Sequence, residues 1–262
     1  MPACSVESPE RGQRMKTSVK LLCLLAAGMI GVSNAPAQLP GANQPGLNAA
    51  VLKLFGDITA FTSKADIQLQ EKGNAEVISM TVGFSMLEGK VRMDIDLGAL
   101  KSKQLPAEAV ASLKAAGLDK LSTVVRSDRK SALLIYPAVQ GYVEMPMSKE
   151  EVADAARKFK VEKTKLGRET VDGHSCEKNK VIISDDTGVR HEATVWYAPD
   201  LRNFPLKLQM PQKDTTVVML YRDVKLVQPD PKQFEAPAAY AKHASAEQLM
   251  QSAMMRMLGG KK

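Results

Sequence analysis

Cysteine, histidine and aromatic side chains are scarce in this chain of 262 residues: three Cys, three His, one Trp, five Tyr and six Phe. Three cysteines cannot staple a disulfide scaffold. Three histidines leave little for a metal centre, which draws three or four ligands from His, Cys and carboxylates. The sequence has no Gly-rich phosphate loop, no G-x-S-x-G and no H-E-x-x-H, the short motifs that carry phosphate binding, serine hydrolysis and zinc proteolysis. It has no Gly-X-Y or heptad period and no repeat of roughly 20–50 residues, which excludes fibrous and solenoid classes. No apolar run reaches the roughly 20 residues that a membrane-spanning helix needs.

What is present is a large apolar fraction, 44%, against 25% charged residues. That balance excludes a disordered polymer and suffices for a real core. The net charge is +7, but the basic residues are dispersed: Lys158, Lys160, Lys163, Lys165, Arg168, Lys178 and Lys180 have a single aromatic, Phe159, among them. A nucleic-acid groove alternates cations with stacking rings, so no nucleic-acid partner is expected. Methionine is abundant, at 14 residues, and flexible thioethers repack around varied apolar shapes.

The first 37 residues read as an address. Lys16 and Lys20 precede the apolar run Leu21–Val32, and Ala35-Pro36-Ala37 places small residues before Gln38. This is the layout of a secretory signal peptide, with Met15 as a second candidate start. Its removal takes Cys4 and Cys23 and leaves Cys176. The expectation is export to the periplasm or beyond the cell, a linker over 38–46 (QLPGANQPG), and one domain over 47–262. The mature chain is expected to be a monomer without a transmembrane span.

Period-two patterning dominates that domain. Ala65, Ile67 and Leu69 alternate with polar residues; Ile78, Met80, Val82, Phe84 and Met86 do so more cleanly; Glu88-Gly89 makes a turn; Val91, Met93, Ile95 and Leu97 resume the alternation. Successive strand side chains face opposite sides, so this is a meander with one oily and one wet face. Further strands are expected at 121–126, 131–136, 141–145, 159–171, 176–183, 190–197, 206–210 and 215–227, with turns at Asp172-Gly173, Asp185–Gly188 and Pro199-Asp200. Helical spacing marks 47–57, 106–117, 149–158 and 245–258, the third capped by Ser148 and the fourth by Ser245. The fold class is α+β: a large antiparallel sheet of about ten strands, with the helices at 106–117, 149–158 and 245–258 available to cover its apolar face.

Three clusters carry potential chemistry. His174 and Cys176 share a strand face, which suits a metal or a Cys/His nucleophile, but no third ligand or orienting group stands at a linked spacing. Cys176 reads as a packed or partly exposed structural thiol. Asp94 with Asp96, and Asp185 with Asp186, read as solvated strand and turn residues. The methionines offer an adaptable apolar cavity or plain core filling.

The stretch Gly167-Arg168-Glu169-Thr170-Val171-Asp172-Gly173-His174-Ser175-Cys176 resembles the G-x-E-x-V-x-G-x-x-C segment of an exported bacterial family, domain-of-unknown-function family 4412. Val195–Leu201 with Asn203–Lys207 resembles its W-x-A-x-D-L…P-x-K segment, and Pro231–Tyr240 its F-x-x-P-x-G-Y ending, with Ala239 in place of the glycine. The family is similar in pattern to periplasmic carriers of the outer-membrane lipoprotein carrier (LolA-like) type. The resemblance implies a curved antiparallel half-barrel with helices on its concave face, and a container for an acyl chain or a hydrophobic peptide. It brings no catalytic residue, no metal and no cofactor.

On this reading the protein is a non-enzymatic binding protein for a lipid or lipoprotein acyl chain. The candidate ligand face is Ile78, Met80, Val82, Phe84, Met86, Val91, Met93, Ile95 and Leu97, with Met250, Met254 and Met257 of the last helix as a lid. The second reading is an envelope protein-interaction or sensor module without a cavity. A third, a hydrolase or metalloprotein, rests on His174 and Cys176.

Overall fold

Two-residue turns set the register of the sheet. The computed structural model describes residues 47–71, 76–102, 106–212 and 215–259; the expected signal peptide (1–37) and linker (38–46) lie outside the described residues. Strand β2 (Glu76–Leu87) returns as β3 (Lys90–Asp96), and β8 (Phe159–Val171) returns as β9 (His174–Asp185). In both turns the two central residues have positive φ: Glu88 at 50° and Gly89 at 80°, Asp172 at 47° and Gly173 at 83°. Two left-handed residues make the tight turn whose twist matches that of the strands it joins.

The remaining strands are β1 (Ala60–Glu71), β4 (Lys101–Ser102), β5 (Lys120–Arg126), β6 (Ser131–Tyr136), β7 (Gly141–Pro146), β10 (Arg190–Ala198), β11 (Phe204–Pro211), β12 (Thr215–Lys225) and β13 (Ala241–His243). All 13 belong to one sheet, in the order β13-β7-β6-β5-β3-β2-β1-β12-β11-β10-β9-β8, with β4 on β2. Every pairing is antiparallel except that of β13, which runs parallel to β7. The helices are α1 (Leu47–Leu52), α2 (Ala107–Ala115), α3 (Lys149–Ala156) and α4 (Ala246–Gly259).

Connectivity requires curvature. β7 and β8 are consecutive in sequence but stand near opposite edges of the sheet. On a flat sheet they would be about 48 Å apart at the usual strand spacing. The connection from Pro146 to Phe159 contains α3 and spans only about 30 Å, counting the helix rise and extended flanks. The sheet therefore curls, and it stays open because β13 and β8 do not pair. This is the expected α+β half-barrel, with more strands than the expected ten because the short β4 and β13 carry no alternation to read.

The register defines an inner and an outer face. Val82 pairs with Ile95, Phe84 with Met93 and Met86 with Val91, so these residues share the inner face. Across β5 and β6 the same face carries Leu121, Leu134 and Tyr136, and across β1 and β12 it carries Ala65, Ile67, Met219 and Tyr221.

The cover of this face differs from expectation. The largest core cluster is closed by α1 and the 3-10 turn Lys53–Phe55, through Ala50, Val51, Leu54, Phe55 and Ile58. α4 covers only the far end of the sheet, through Leu249 and Ala253, joined by Leu113 of α2. α3 buries no residue. It is fixed by polar contacts instead: a Ser148–Glu151 capping box at its start and Arg157, paired with Asp154 and Asp185, at its end.

The outer face is also not uniformly wet. Leu87, Val124, Leu133 and Ile135 are buried there under Phe234, which is fully buried. β6 is buried at all six positions because it has cover on both sides.

Candidate functional site

The inner face is where the sequence placed its candidate ligand residues. Ile78, Met80, Val82, Phe84, Met86, Val91 and Met93 all belong to the main core, none more than 9% exposed. Ile95 is partly buried and touches both inner clusters, so it joins them. Leu97 is partly buried in the second cluster, on a 3-10 turn beyond the end of β3.

The methionines of α4 divide. Met250 packs on the second cluster, whereas Met254 is 53% exposed and the Met257 side chain lies outside the described residues. The residues of α4 that do seal the face are Leu249 and Ala253. Gly141 of β7 makes the approach of Leu249 possible: a Cβ there would meet His243 Nε2 at 3.1 Å and Leu249 Cδ1 at 3.3 Å.

Most of the chain's phenylalanines gather at the other end, which sequence reading had not singled out. Phe55 stacks on Phe61 at 5.0 Å, Phe61 on Phe84 at 5.6 Å, and Phe204 stands edge-on to Phe61 at 4.8 Å and to Tyr221 at 5.3 Å. Such pairs hold position beyond their area alone. Phe55 comes from the covering segment, so its ring closes the aromatic floor from above. Burial pushes the Tyr221 phenol far above its ordinary range and that of Tyr136, on the second cluster, up to about 12.

The chain from residue 231 onward clasps the β5–β7 end. Phe234 lies on the outer face, and Arg92 Nη1 donates to the carbonyl of Gln233 at 2.7 Å. The buried Arg126 guanidinium reaches both Glu144 and Glu235. The chain then forms the edge strand β13 and returns over the inner face as α4, started by Ser245 Oγ accepting from Gln248 N at 3.2 Å.

The polar clusters are tied up in internal contacts. Asp94 accepts from Arg92 and from Ser122 Oγ, and Asp96 caps the turn at Gly98 N. Asp185 accepts from Thr187 N, Thr187 Oγ1 and Val189 N, which closes the β9–β10 turn. Burial works against its carboxylate, but hydrogen bonds from Thr187, Arg157 and Val189 outweigh that and bring its pKa down to about 2. His174 Nδ1 lies 2.5 Å from Asp200 Oδ2, and Cys176 is fully buried. Burial, with the nearby Asp200 charge, pushes the Cys176 thiol up, the reverse of an activated nucleophile. Among the described residues no three His, Cys, Asp or Glu side chains group to hold a metal. Among them, too, no helix is long and apolar enough to cross a membrane.

No curated protein sequence matches the chain. Solved structures do resemble it at low identity. LprF from Mycobacterium bovis aligns at 12% identity over 74% of this chain and 98% of that one, with a TM-score of 0.36. A LolA superfamily protein from Nitrosomonas europaea aligns at 14% identity over 72% and 96%, with a TM-score of 0.31. The Pseudomonas aeruginosa MucA/MucB complex aligns at 12% identity over 74% of this chain and 62% of that one, with a TM-score of 0.38. A family model described as a domain of unknown function, DUF4412, matches residues 77–204, just under half of the chain. The match takes in Gly167–Cys176 and Val195–Leu201 and stops before the Pro231–Tyr240 segment. The matched stretch, residues 77–204, runs from the start of the apolar β2 row to Phe204 in the aromatic floor, and over it the chain is similar to DUF4412.

Proposed function

We propose that this protein is an exported, non-enzymatic binding protein of the lipid- or lipoprotein-carrier type, which takes an acyl chain or similar apolar ligand against the inner face of its sheet. One observation carries the reading. The inner face is apolar along most of its width, and it is closed by separate chain segments, residues 47–58 at one end and α4 with Leu113 of α2 at the other, rather than by a second sheet. Either segment can leave without breaking a strand pairing.

Magnitudes favour such an exchange. Lifting the 47–58 segment exposes chiefly Val51, Leu54, Phe55 and Ile58, a loss of about 9 kcal/mol at 1.5–3 kcal/mol per fully buried side chain. About eleven methylenes, at about 0.8 kcal/mol each, offset that loss. A common acyl chain is longer. The methionines at Met80, Met86 and Met93 then adapt to what enters.

The second reading is an envelope docking or sensor module whose core stays filled. The near-complete burial of Ile78 to Met93 favours it. Native mass spectrometry of protein purified from envelope extract, followed by organic extraction, separates the two. A stoichiometric lipid or acyl mass supports the carrier. A clean apoprotein mass, unchanged after incubation with phospholipid and lipopeptide, supports the docking module.

A further inference from the structure

Strand β8 carries a row of side chains that changes character halfway along. Phe159, Val161, Lys163 and Lys165 pair with Asp185, Ile183, Val181 and Asn179, and so stand on the inner face. Phe159 and Val161 pack against the core, while Lys163 and Lys165 are exposed. The register shifts between Lys165 and Gly167, after which Arg168 pairs with Glu177. Lys165 and Arg168 both reach Glu177 Oε1, each at 3.3 Å, so one carboxylate serves two cations.

Lys163 has no carboxylate among the described residues. Its Nζ crosses β9 and lies 4.0 Å from the centroid of the Tyr197 ring on β10. Burial lowers its hold on a proton, the mark of a cation that is partly stripped of water without a counter-charge. Tyr197 is 4% exposed, and its hydroxyl has no hydrogen-bond partner. A buried hydroxyl without a partner is an uncompensated cost, rare enough to require an explanation. An unpaired cation and an unused donor therefore sit together where the apolar row meets the open edge of the sheet.

We infer that this corner is the head-group site for an anionic amphiphile. One carboxylate or phosphate oxygen takes the Lys163 ammonium and the Tyr197 O–H, while the hydrocarbon runs past Val161 and Phe159 toward the core. The inference rests on the carrier reading and adds the chemistry of the ligand's polar end. Lys165 and Arg168, sharing one carboxylate, add long-range attraction for the same charge.

The test titrates the full chain with oleate, with monoolein as the neutral ligand of the same chain, with dioleoyl phosphatidate, and with inorganic phosphate. Variants are Lys163→Gln, Tyr197→Phe and, as a charge control on the outer face, Lys160→Gln, each checked for an unchanged melting profile. Oleate should bind at least about tenfold tighter than monoolein, as expected for one charge-assisted contact in a half-buried site. Lys163→Gln should bring the two within about threefold. Tyr197→Phe should weaken oleate severalfold and leave monoolein unchanged, and Lys160→Gln should change neither. Tighter binding of phosphatidate than oleate would assign the site to a lipid phosphate within the same proposal. Equal binding of oleate and monoolein, or a preference that survives Lys163→Gln, overturns the head-group site while the carrier stands. Inorganic phosphate competing as well as oleate overturns the amphiphile and leaves a bare anion site. If neither amphiphile binds, the carrier reading falls and this site with it.

Discussion

The guanidinium of Arg126, on β5, donates from Nη1 to the Glu235 carboxylate at 3.2 Å, across 109 residues of sequence. Its Nη2 serves Ser131 and Glu144, and its side chain is only 3% exposed. One buried cation thus ties two strands and the returning C-terminal segment together, while Arg129 and Lys242 hold the outer sides of the same two carboxylates.

Arg126→Met should therefore loosen the clasp without unfolding the sheet. Glu144 and Glu235 keep their exposed partners, so the cost is set below that of a fully buried broken pair, at about 2 kcal/mol. The urea midpoint should fall accordingly, and limited proteolysis should cut within residues 229–240. An unchanged midpoint and cutting pattern would show that Phe234 alone holds the segment.

Phe55→Ala removes the ring that closes the aromatic floor. A buried Phe→Ala change costs about 3–5 kcal/mol, measurable by chemical denaturation. If the 47–58 segment occupies the place of a ligand, the same variant should take up a fluorescent acyl probe more readily than the parent. Loss of stability with no gain in probe uptake would favour the docking module.

Asp185→Asn tests the turn that joins β9, β10 and α3. The folded carboxyl, near 2, lies below its ordinary value of 3.8, so its stabilising contribution is fully present above that value and fades as pH falls through the folded pKa. The variant should be less stable than the parent at neutral pH. The gap should close between about pH 4 and pH 2. A gap that persists at pH 2 would mean that the carboxylate's charge is not what holds the turn.

Gly141→Val should displace α4. The added carbon falls within 3.3 Å of both His243 and Leu249, closer than packed side chains tolerate without moving. Hydrogen exchange should quicken along α4 and β13 and stay slow in β9 and β10. Equal protection in both regions would mean that the edge absorbs the strain locally.

Much of the sheet was legible because its strands obey simple alternation. Ile78–Met86 and Val91–Ile95 read correctly as one face, although Leu97 leaves the strand for a 3-10 turn, and the turn residues Glu88-Gly89 and Asp172-Gly173 fixed where strands reverse. The cover was less legible. α1 is only six residues long and continues as a 3-10 turn, so its period is too short to outrank longer helices, yet its position puts Phe55 at the centre of the core. The choice of lid residues on α4 favoured methionines, whereas the close approach at Gly141 brings Leu249 onto the sheet and Ala253 is buried in the same cluster, a choice made by tertiary approach rather than by spacing. The double burial of β5 and β6 did leave a trace: Ala132–Tyr136 is a continuous apolar run, the pattern of a strand covered on both faces. The Lys163–Tyr197 contact joins strands that are not neighbours, and no local pattern foretells it.

The clasp at the β5–β7 end also fixes an order of events in folding. Those strands gain their outer cover from residues 231–240, and their edge and inner cover from residues 241–253. A chain that emerges from its N-terminus cannot complete this end until its last quarter has appeared. Closing so long a loop costs little more than closing a short one, but the search must finish before any of these contacts forms, which slows folding. Until then the β7 edge and two apolar faces stand open to other chains, the state most prone to misassembly. The return of the tail is thus the step at which a newly made molecule most needs protection.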